Sequence, residues 1–323
     1  MSQAHTLPPR IAPVSFSEFD RDFDHFSQTL GGSFARFGFA VIADHGIPQA
    51  RIDAAVESGK RFFALPEAQK LKYKLPVGGQ RGYTPFGVET AKGETNYDLK
   101  EFWHVGRDLP PGHPYRSHMA DNVWPDADVA DFHEKVGWLY GALDAMGLKV
   151  LEAIAAYLGL ERRFFDPTVD FGNSILRLLH YPPMPAQEGV PFDGPHIRAA
   201  AHEDINAITL LLGAEEAGLE VLDRDGQWLA VNPPPGALVC NIGDMLQRLT
   251  NHRLPSTTHR VVNPAPERRG FARYSTPFFL HFNSDYLIET LPICVDAGHP
   301  DRYPTPITAD EYLQERLREI KLA

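Results

Sequence analysis

Two histidines and one aspartate carry the chemistry that this chain could perform. His202 and Asp204 stand two residues apart in AAHEDINAITLLL, and His259 follows in STTHRVV. Two imidazoles and a carboxylate can occupy one face of an octahedral Fe(II) ion and leave the opposite positions open to substrate, cosubstrate and molecular oxygen. In an extended strand, residues i and i+2 project to the same side, so His202 and Asp204 share a face and Glu203 points away. The third ligand has to come from a strand that returns to the same place. Thr257, His259 and Val261 share one face of the β-branched run TTHRVV, with Arg260 on the other. In a chain with 14 histidines, a lone His-x-Asp is equally compatible with a structural or surface pair. The same three ligands also suit a zinc ion with an activated water, although no obvious general base or oxyanion arrangement accompanies them.

A second pair follows in FARYSTPFFL, where Arg273 and Ser275 are again two apart and share a strand face. A guanidinium fork matches a carboxylate, and the neighbouring hydroxyl adds a donor. In isolation an RxS is an edge-strand surface arginine, but here it comes after the His-x-Asp and the distant His. That order, each part in a strand-like segment, resembles the iron- and 2-oxoglutarate-dependent oxygenases of the isopenicillin N synthase-like type. The resemblance covers nearly the whole chain, from RFGFAVIADHGIP through RGYTPFG to GQWLAVNPPPGALVCNIGDMLQRLTNHRLPSTTHRVV.

The resemblance implies iron(II) on His202, Asp204 and His259, and the distal carboxylate of 2-oxoglutarate on Arg273 and Ser275. It also places Tyr181 of RLLHYPP on that carboxylate, while many plant relatives carry an asparagine where this chain has Leu179. The implied reaction oxidises a C–H bond of a small-molecule substrate, with oxygen consumed and succinate and carbon dioxide released. Two alternatives stay open at this point. One is an isopenicillin N synthase-like or ascorbate-using iron oxidase that does not use 2-oxoglutarate, since some relatives turn the Arg-x-Ser pair on the substrate's own carboxylate. The other is a non-catalytic metal- or ligand-binding jelly roll.

Candidates for the substrate pocket are Tyr83 and Phe86 of RGYTPFG, Phe102 and His104 of LKEFWHVGR, and His196 and Arg198 just before the metal strand. The aromatic ones read equally as core or lid packing. Arg198 could pair with a substrate carboxylate or form a surface ion pair. Glu89, Glu94, Asp98, Lys100 and Glu101 read as a solvated face. Asn241 and Asp244 read as a Gly-centred turn shaping the cavity wall, and Pro233 to Pro235 as a rigid loop.

Positioning these groups calls for a mainly β fold with flanking helices. From about Ser174 to Phe282 short apolar or alternating runs are punctuated by Pro, Gly, Asn and Asp, the pattern of a double-stranded β-helix, or jelly roll. Upstream, FDHFSQTLGGSFARFGF and PQARIDAAVESGKRFFALP carry helical spacing on either side of the strand-like FAVIADHGIP. A long amphipathic helix is predicted from about Asp128 to Leu160, backing the sheet, and ITADEYLQERLREIK predicts a final helix entered near Thr308 and Asp310. The expected organisation is an N-terminal helical and early-strand region over 1–170 packed on the core, the jelly-roll core over 171–290, and a C-terminal helical extension over 291–323.

With 323 residues and 43% hydrophobic content, the chain can bury a substantial core, favouring one large domain. A net charge of −11 and the lack of basic motifs argue against a nucleic-acid partner. Only two cysteines occur; Cys240 reads as a small buried thiol and Cys294 as a bystander. No cysteine framework, signal peptide or membrane-length apolar run is visible, so the expectation is a cytoplasmic enzyme without membrane association or an obligate protein partner. The strand-face argument predicts that His202→Ala or Asp204→Ala abolishes iron-dependent turnover while Glu203→Ala largely preserves it. Equal loss in three folded variants would show that the face assignment is wrong.

Overall fold

The computed structural model describes residues 10–75, 80–86, 88, 100–183, 198–212, 218–263, 267 and 270–319. Its strands are β1 (Pro13–Ser15), β2 (Phe39–Ala43), β3 (Gly82–Thr84), β4 (Glu101–Gly106), β5 (Ile175–Tyr181), β6 (Ala199–His202), β7 (Ile208–Leu212), β8 (Leu219–Leu222), β9 (Trp228–Ala230), β10 (Leu238–Ile242), β11 (His259–Val261) and β12 (Arg273–Leu280), with a separate short pair, β13 (Leu287–Ile288) and β14 (Ile307–Thr308). Eight form one sheet in the order β1-β2-β10-β7-β12-β5-β4-β3, and four form a second in the order β6-β11-β8-β9. Phe39, Val41 and Val239 of the larger sheet meet Leu219 and Val221 of the smaller one. This is the jelly roll predicted from the punctuated runs. The central strands β7 (ITLLL) and β10 (LVCNI) are almost wholly buried, because one face meets the second sheet and the other meets helices.

The N-terminal region does more than pack on this core. It supplies β1 and β2 at one end of the larger sheet and β3 and β4 at the other, with β2 bonded to β10 and β4 to β5. Helices Phe23–Phe37, Gln49–Phe63 and Phe132–Tyr157 cover its outer face. The longest of them is slightly shorter than its periodicity predicts, but Val136, Leu139, Leu143, Val150 and Ile154 are fully buried as expected. Gly147 lets it approach the sheet, since a Cβ there would stand 2.4 Å from Leu280 Cδ1. The final helix, Ala309–Glu319, opens on a reciprocal cap: Thr308 N–H donates to Glu311 Oε2 at 3.1 Å, and Glu311 N–H donates to Thr308 Oγ1 at 3.3 Å. Among the described residues no helix is long and apolar enough to cross a membrane.

Two expectations need correction. Lys100 and Glu101 are buried, not solvated. β4 lies between β5 and β3, so Glu101 faces the helices and accepts from Lys70 Nζ at 2.6 Å, pairs with His180 Nδ1 at 2.7 Å, and accepts from the Tyr83 hydroxyl. Burial alone would raise the Glu101 pKa, but these partners hold it below the usual carboxylate range. Asn241 is in the strand β10, not in a turn. Glu89, Glu94 and Asp98 lie outside the described residues.

Phe62 has no solvent exposure and its ring contacts those of Phe63, Tyr73, Tyr83, Trp103 and Phe132. Truncation to alanine removes the centre of this cluster. Phe62→Ala is expected to cost roughly 3–5 kcal/mol of stability, read as a lower urea midpoint at unchanged slope; a midpoint near wild type would show that the cluster repacks.

Candidate metal centre and cosubstrate pocket

His202 closes β6, His259 opens β11, and the two are direct cross-strand partners with ring centroids 4.4 Å apart. Asp204 stands two residues past the end of β6, and its carbonyl accepts the Asp244 N–H at 2.8 Å. Nδ1 of His202 is 2.7 Å from the Ala200 carbonyl, and Nδ1 of His259 is 3.1 Å from the Thr257 carbonyl. A carbonyl only accepts, so each Nδ1 carries the proton and each Nε2 offers its lone pair. Both Nε2 atoms lie 3.8 Å from Asp204 Oδ1, and the three donor atoms fall within 4.8 Å of one another.

The other carboxylate oxygen is already satisfied. Asp204 Oδ2 accepts from Thr209 Oγ1 at 2.5 Å and from Asn241 Nδ2 at 2.8 Å, which leaves Oδ1 aimed at the space between the imidazoles. Burial alone would push the Asp204 pKa up; His259, His202 and these two donors hold it below the usual range, so the group is ionised. Desolvation and the neighbouring His259 push the His202 imidazole down, toward its neutral form, although a side chain 40% open to solvent feels that push less than a sealed one. Two neutral nitrogens and one carboxylate oxygen, converging from one side and fixed by outer hydrogen bonds, fit Fe(II) with open positions.

The facing surface of the larger sheet carries the second constellation. Arg273 pairs in register with Tyr181, and Ser275 with Leu179, so all four project to one side. Arg273 is 2% exposed, its guanidinium lies 5.2 Å from the Tyr181 ring centroid, and burial lowers its pKa while Tyr181 opposes that shift. Arg273 also borders a cavity of about 1020 Å³, together with Leu211, Leu219, Val231 and Val239, which reaches Asp44–Ile47 and Asn232–Gly236.

The substrate candidates separate by strand face. Phe102 packs with Leu179 and Tyr181, and His104 Nε2 accepts from Arg177 Nε at 2.6 Å, so both are on the inner side. Tyr83 is not. It pairs with Trp103, faces the helices, and sits in the core against Phe62 with its hydroxyl on Glu101. Phe86 is 43% exposed just beyond β3, His196 lies outside the described residues, and Arg198 is 1% exposed. Arg260 takes the outer face as expected, with its Nε 2.8 Å from Glu220 Oε2.

Four residues with a place in this site escaped sequence reasoning: Thr209, Arg177, Phe279 and His281. Counting by twos from known positions would have found three of them, since Phe279 continues Arg273 and Ser275, Arg177 continues Tyr181 and Leu179, and His281 continues the first series past the strand end. Arg177 lies 4.4 Å from the Phe102 ring and 5.3 Å from the Phe279 ring. His281 is buried, its Nδ1 has no partner among the described residues, and burial pushes its pKa down to about 4 against the pull of Asp204. Thr209 left no such signal. Thr209→Val and Asn241→Leu each remove a donor from Asp204 Oδ2, and iron affinity is expected to fall roughly 10- to 100-fold, measured by Fe(II) competition with a chelator. Unchanged affinity in both would show that the carboxylate orients itself without them.

Residues 11–127 match the non-haem dioxygenase in morphine synthesis N-terminal family, and residues 172–282 match the 2OG-Fe(II) oxygenase superfamily. The 2-oxoglutarate-Fe(II) type oxidoreductase hxnY of Emericella nidulans is 35% identical over 317 residues, spanning 92% of this chain and 88% of that protein. A crystal structure of a 2OG-Fe(II) oxygenase family protein from Caulobacter crescentus is similar at 68% identity and a TM-score of 0.89, covering 96% of this chain and 99% of that one. A full-length Neurospora crassa protein, crystallised in complex with alpha-KG and thymine, is similar at 29% identity and a TM-score of 0.84, covering 95% of this chain and 96% of that one. Alpha-KG is 2-oxoglutarate, so these similarities favour the cosubstrate over the oxidase alternative. Given both family matches, relatives spanning nearly the whole chain, and a His-Asp-His group shaped for iron, the chain belongs to the 2OG-Fe(II) oxygenase superfamily and is a non-haem iron dioxygenase that uses iron(II) and 2-oxoglutarate.

Proposed function

We propose that His202, Asp204 and His259 bind the catalytic iron(II), that Arg273, Ser275 and Tyr181 hold the distal carboxylate of 2-oxoglutarate, and that the enzyme oxidises a C–H bond of a small polar substrate lying against Phe102, His104, Arg177 and Phe279. The supporting observation is the convergence of both His Nε2 atoms on Asp204 Oδ1, across the sandwich from the strand face that carries Arg273. Iron(II) held there supplies the redox chemistry that divides dioxygen between 2-oxoglutarate, released as succinate and carbon dioxide, and the substrate. The protein's own contribution is to fix both organic partners and keep water from the site.

Each wall has a distinct part in this proposal. Arg273 neutralises the distal carboxylate in a buried setting where a fork of donors counts most. Leu179 packs between Phe102 and Tyr181, so an apolar surface stands where plant relatives carry asparagine. Arg177, held between two rings and by His104, selects a substrate with an acceptor or anionic group. Apart from Phe102 and His104, every one of these residues falls in the expected 171–290 core. The buried free thiols of Cys240 and Cys294 suit the cytoplasmic location we also propose.

Anaerobic titration of the Fe(II)-loaded protein with 2-oxoglutarate tests the assignment through the visible charge-transfer band of bidentate chelation. A saturable band is expected in the wild type. Arg273→Ala should weaken 2-oxoglutarate by on the order of 100-fold, the factor that about 3 kcal/mol represents, with iron affinity preserved. Arg177→Leu should raise the substrate KM and leave the 2-oxoglutarate KM in place. A band of wild-type affinity in Arg273→Ala would remove Arg273 from the clamp.

A further inference from the structure

Arg198 immediately precedes β6 and is 1% exposed, yet none of its three side-chain nitrogens has a hydrogen-bond partner among the described residues. Its backbone is fixed, since the N–H donates to Asn263 Oδ1 at 3.1 Å. A guanidinium stays charged at any ordinary pH, and a buried charge without a counter-ion is among the least favourable arrangements a fold can hold. Its electrostatic neighbours make matters worse: burial and the repulsion of Arg273 depress its pKa to about 10, against the opposing pull of the Tyr181 phenol. The sequence offered a surface ion pair as the bland alternative, and the burial excludes it.

Where the guanidinium lies indicates what anion it awaits. The pairing of β6 with β11 shifts register between His202 and Ala199, so alternation from His202 does not fix the side of Arg198. The ring of Tyr181, the residue opposite Arg273 in register, lies 5.9 Å from the Arg198 guanidinium and places it in the inter-sheet space. Four residues of extended chain span roughly 13 Å, so it stands well along the strand from the reacting centre. The direction is set by register. β6 runs from His202 opposite His259 to Ala199 opposite Val261, and Val261 pairs with Leu219, which shares a cavity wall with Arg273. Arg198 and Arg273 approach the same Tyr181 ring, at 5.9 Å and 5.2 Å from its centroid. A substrate's reactive C–H bond belongs at the other end, near the histidines.

We propose that Arg198 is a second guanidinium for the distal carboxylate of 2-oxoglutarate, which binds between Arg198 from the smaller sheet and Arg273 from the larger. This rests on the assignment of Arg273 made above. The carboxylate then joins the two sheets and supplies Arg198 with an acceptor that it lacks among the described residues.

The test compares two probes, 2-oxoglutarate and 2-oxopentanoate, which keeps the chelating oxoacid and lacks the distal carboxylate. Anaerobic affinities are measured in the Fe(II)-loaded wild type and in Arg198→Met and Arg273→Met. Arg198→Met is expected to weaken 2-oxoglutarate by at least about 10-fold while 2-oxopentanoate and iron affinities hold, so the preference for the dicarboxylate shrinks. A merely structural arginine would weaken both probes together, and that outcome overturns the proposal. A wild-type preference in Arg198→Met, alongside a collapsed one in Arg273→Met, overturns this proposal alone; a wild-type preference in both variants removes the Arg273 assignment as well. Should Arg198→Met fail to fold, Arg198→Gln carries the same comparison with a neutral hydrogen-bonding side chain.

Discussion

Charge held between two sheets is the constraint on which this structure depends. The interior of a β-sandwich is normally apolar, yet here it contains the Asp204 carboxylate and the guanidiniums of Arg198 and Arg273, all less than a tenth exposed. Such groups persist only when each has a partner or awaits one. Asp204 shows how the constraint is met: one oxygen accepts from neutral donors on β7 and β10, and the other faces the two imidazoles. The central strands of the larger sheet thereby orient a ligand that belongs to the smaller one. Helix packing on the outer face and apolar contacts beside the site keep those strands at a fixed spacing.

Strand periodicity decides which side chains participate. A two-residue step places Arg273, Ser275 and Phe279 on one face and Tyr274, Thr276 and Phe278 on the other, where Phe278 meets Tyr140 of the long helix. One sheet therefore serves two chemistries, a polar reactive face and an apolar structural one. Glu101 shows that a charge on the structural face is tolerated when three donors surround it, and its role there is to tie Lys70, Tyr83 and His180 under the helices.

Much of this was legible in the residues themselves. The His202/Asp204 and Arg273/Ser275 pairs and the long helix follow from local spacing, because each lies within or just beyond one element, whereas His259 joins them only through the pairing of β11 with β6. What stayed illegible depends on which strands become neighbours. Tyr83 looks like a pocket aromatic until its pairing with Trp103 assigns it to the helix side. Lys100 and Glu101 look solvated until β3 is seen to cover β4. Asn241 reads as a turn residue because a glycine follows two positions later, and only the β10–β7 pairing shows that its amide reaches Asp204. Arg198 combined both problems, since a register shift in the β6–β11 pairing hides its side and its burial requires the second sheet.

The position of β2 has a consequence in time. It pairs with β1 and with β10, whose residues follow it by about two hundred positions. During synthesis the first strands therefore have no lasting partner on one side until most of the chain has emerged. Long-range pairing of this kind slows folding, since loop closure precedes any gain from contact. The space between the sheets is therefore closed late, after the covering helices have been made.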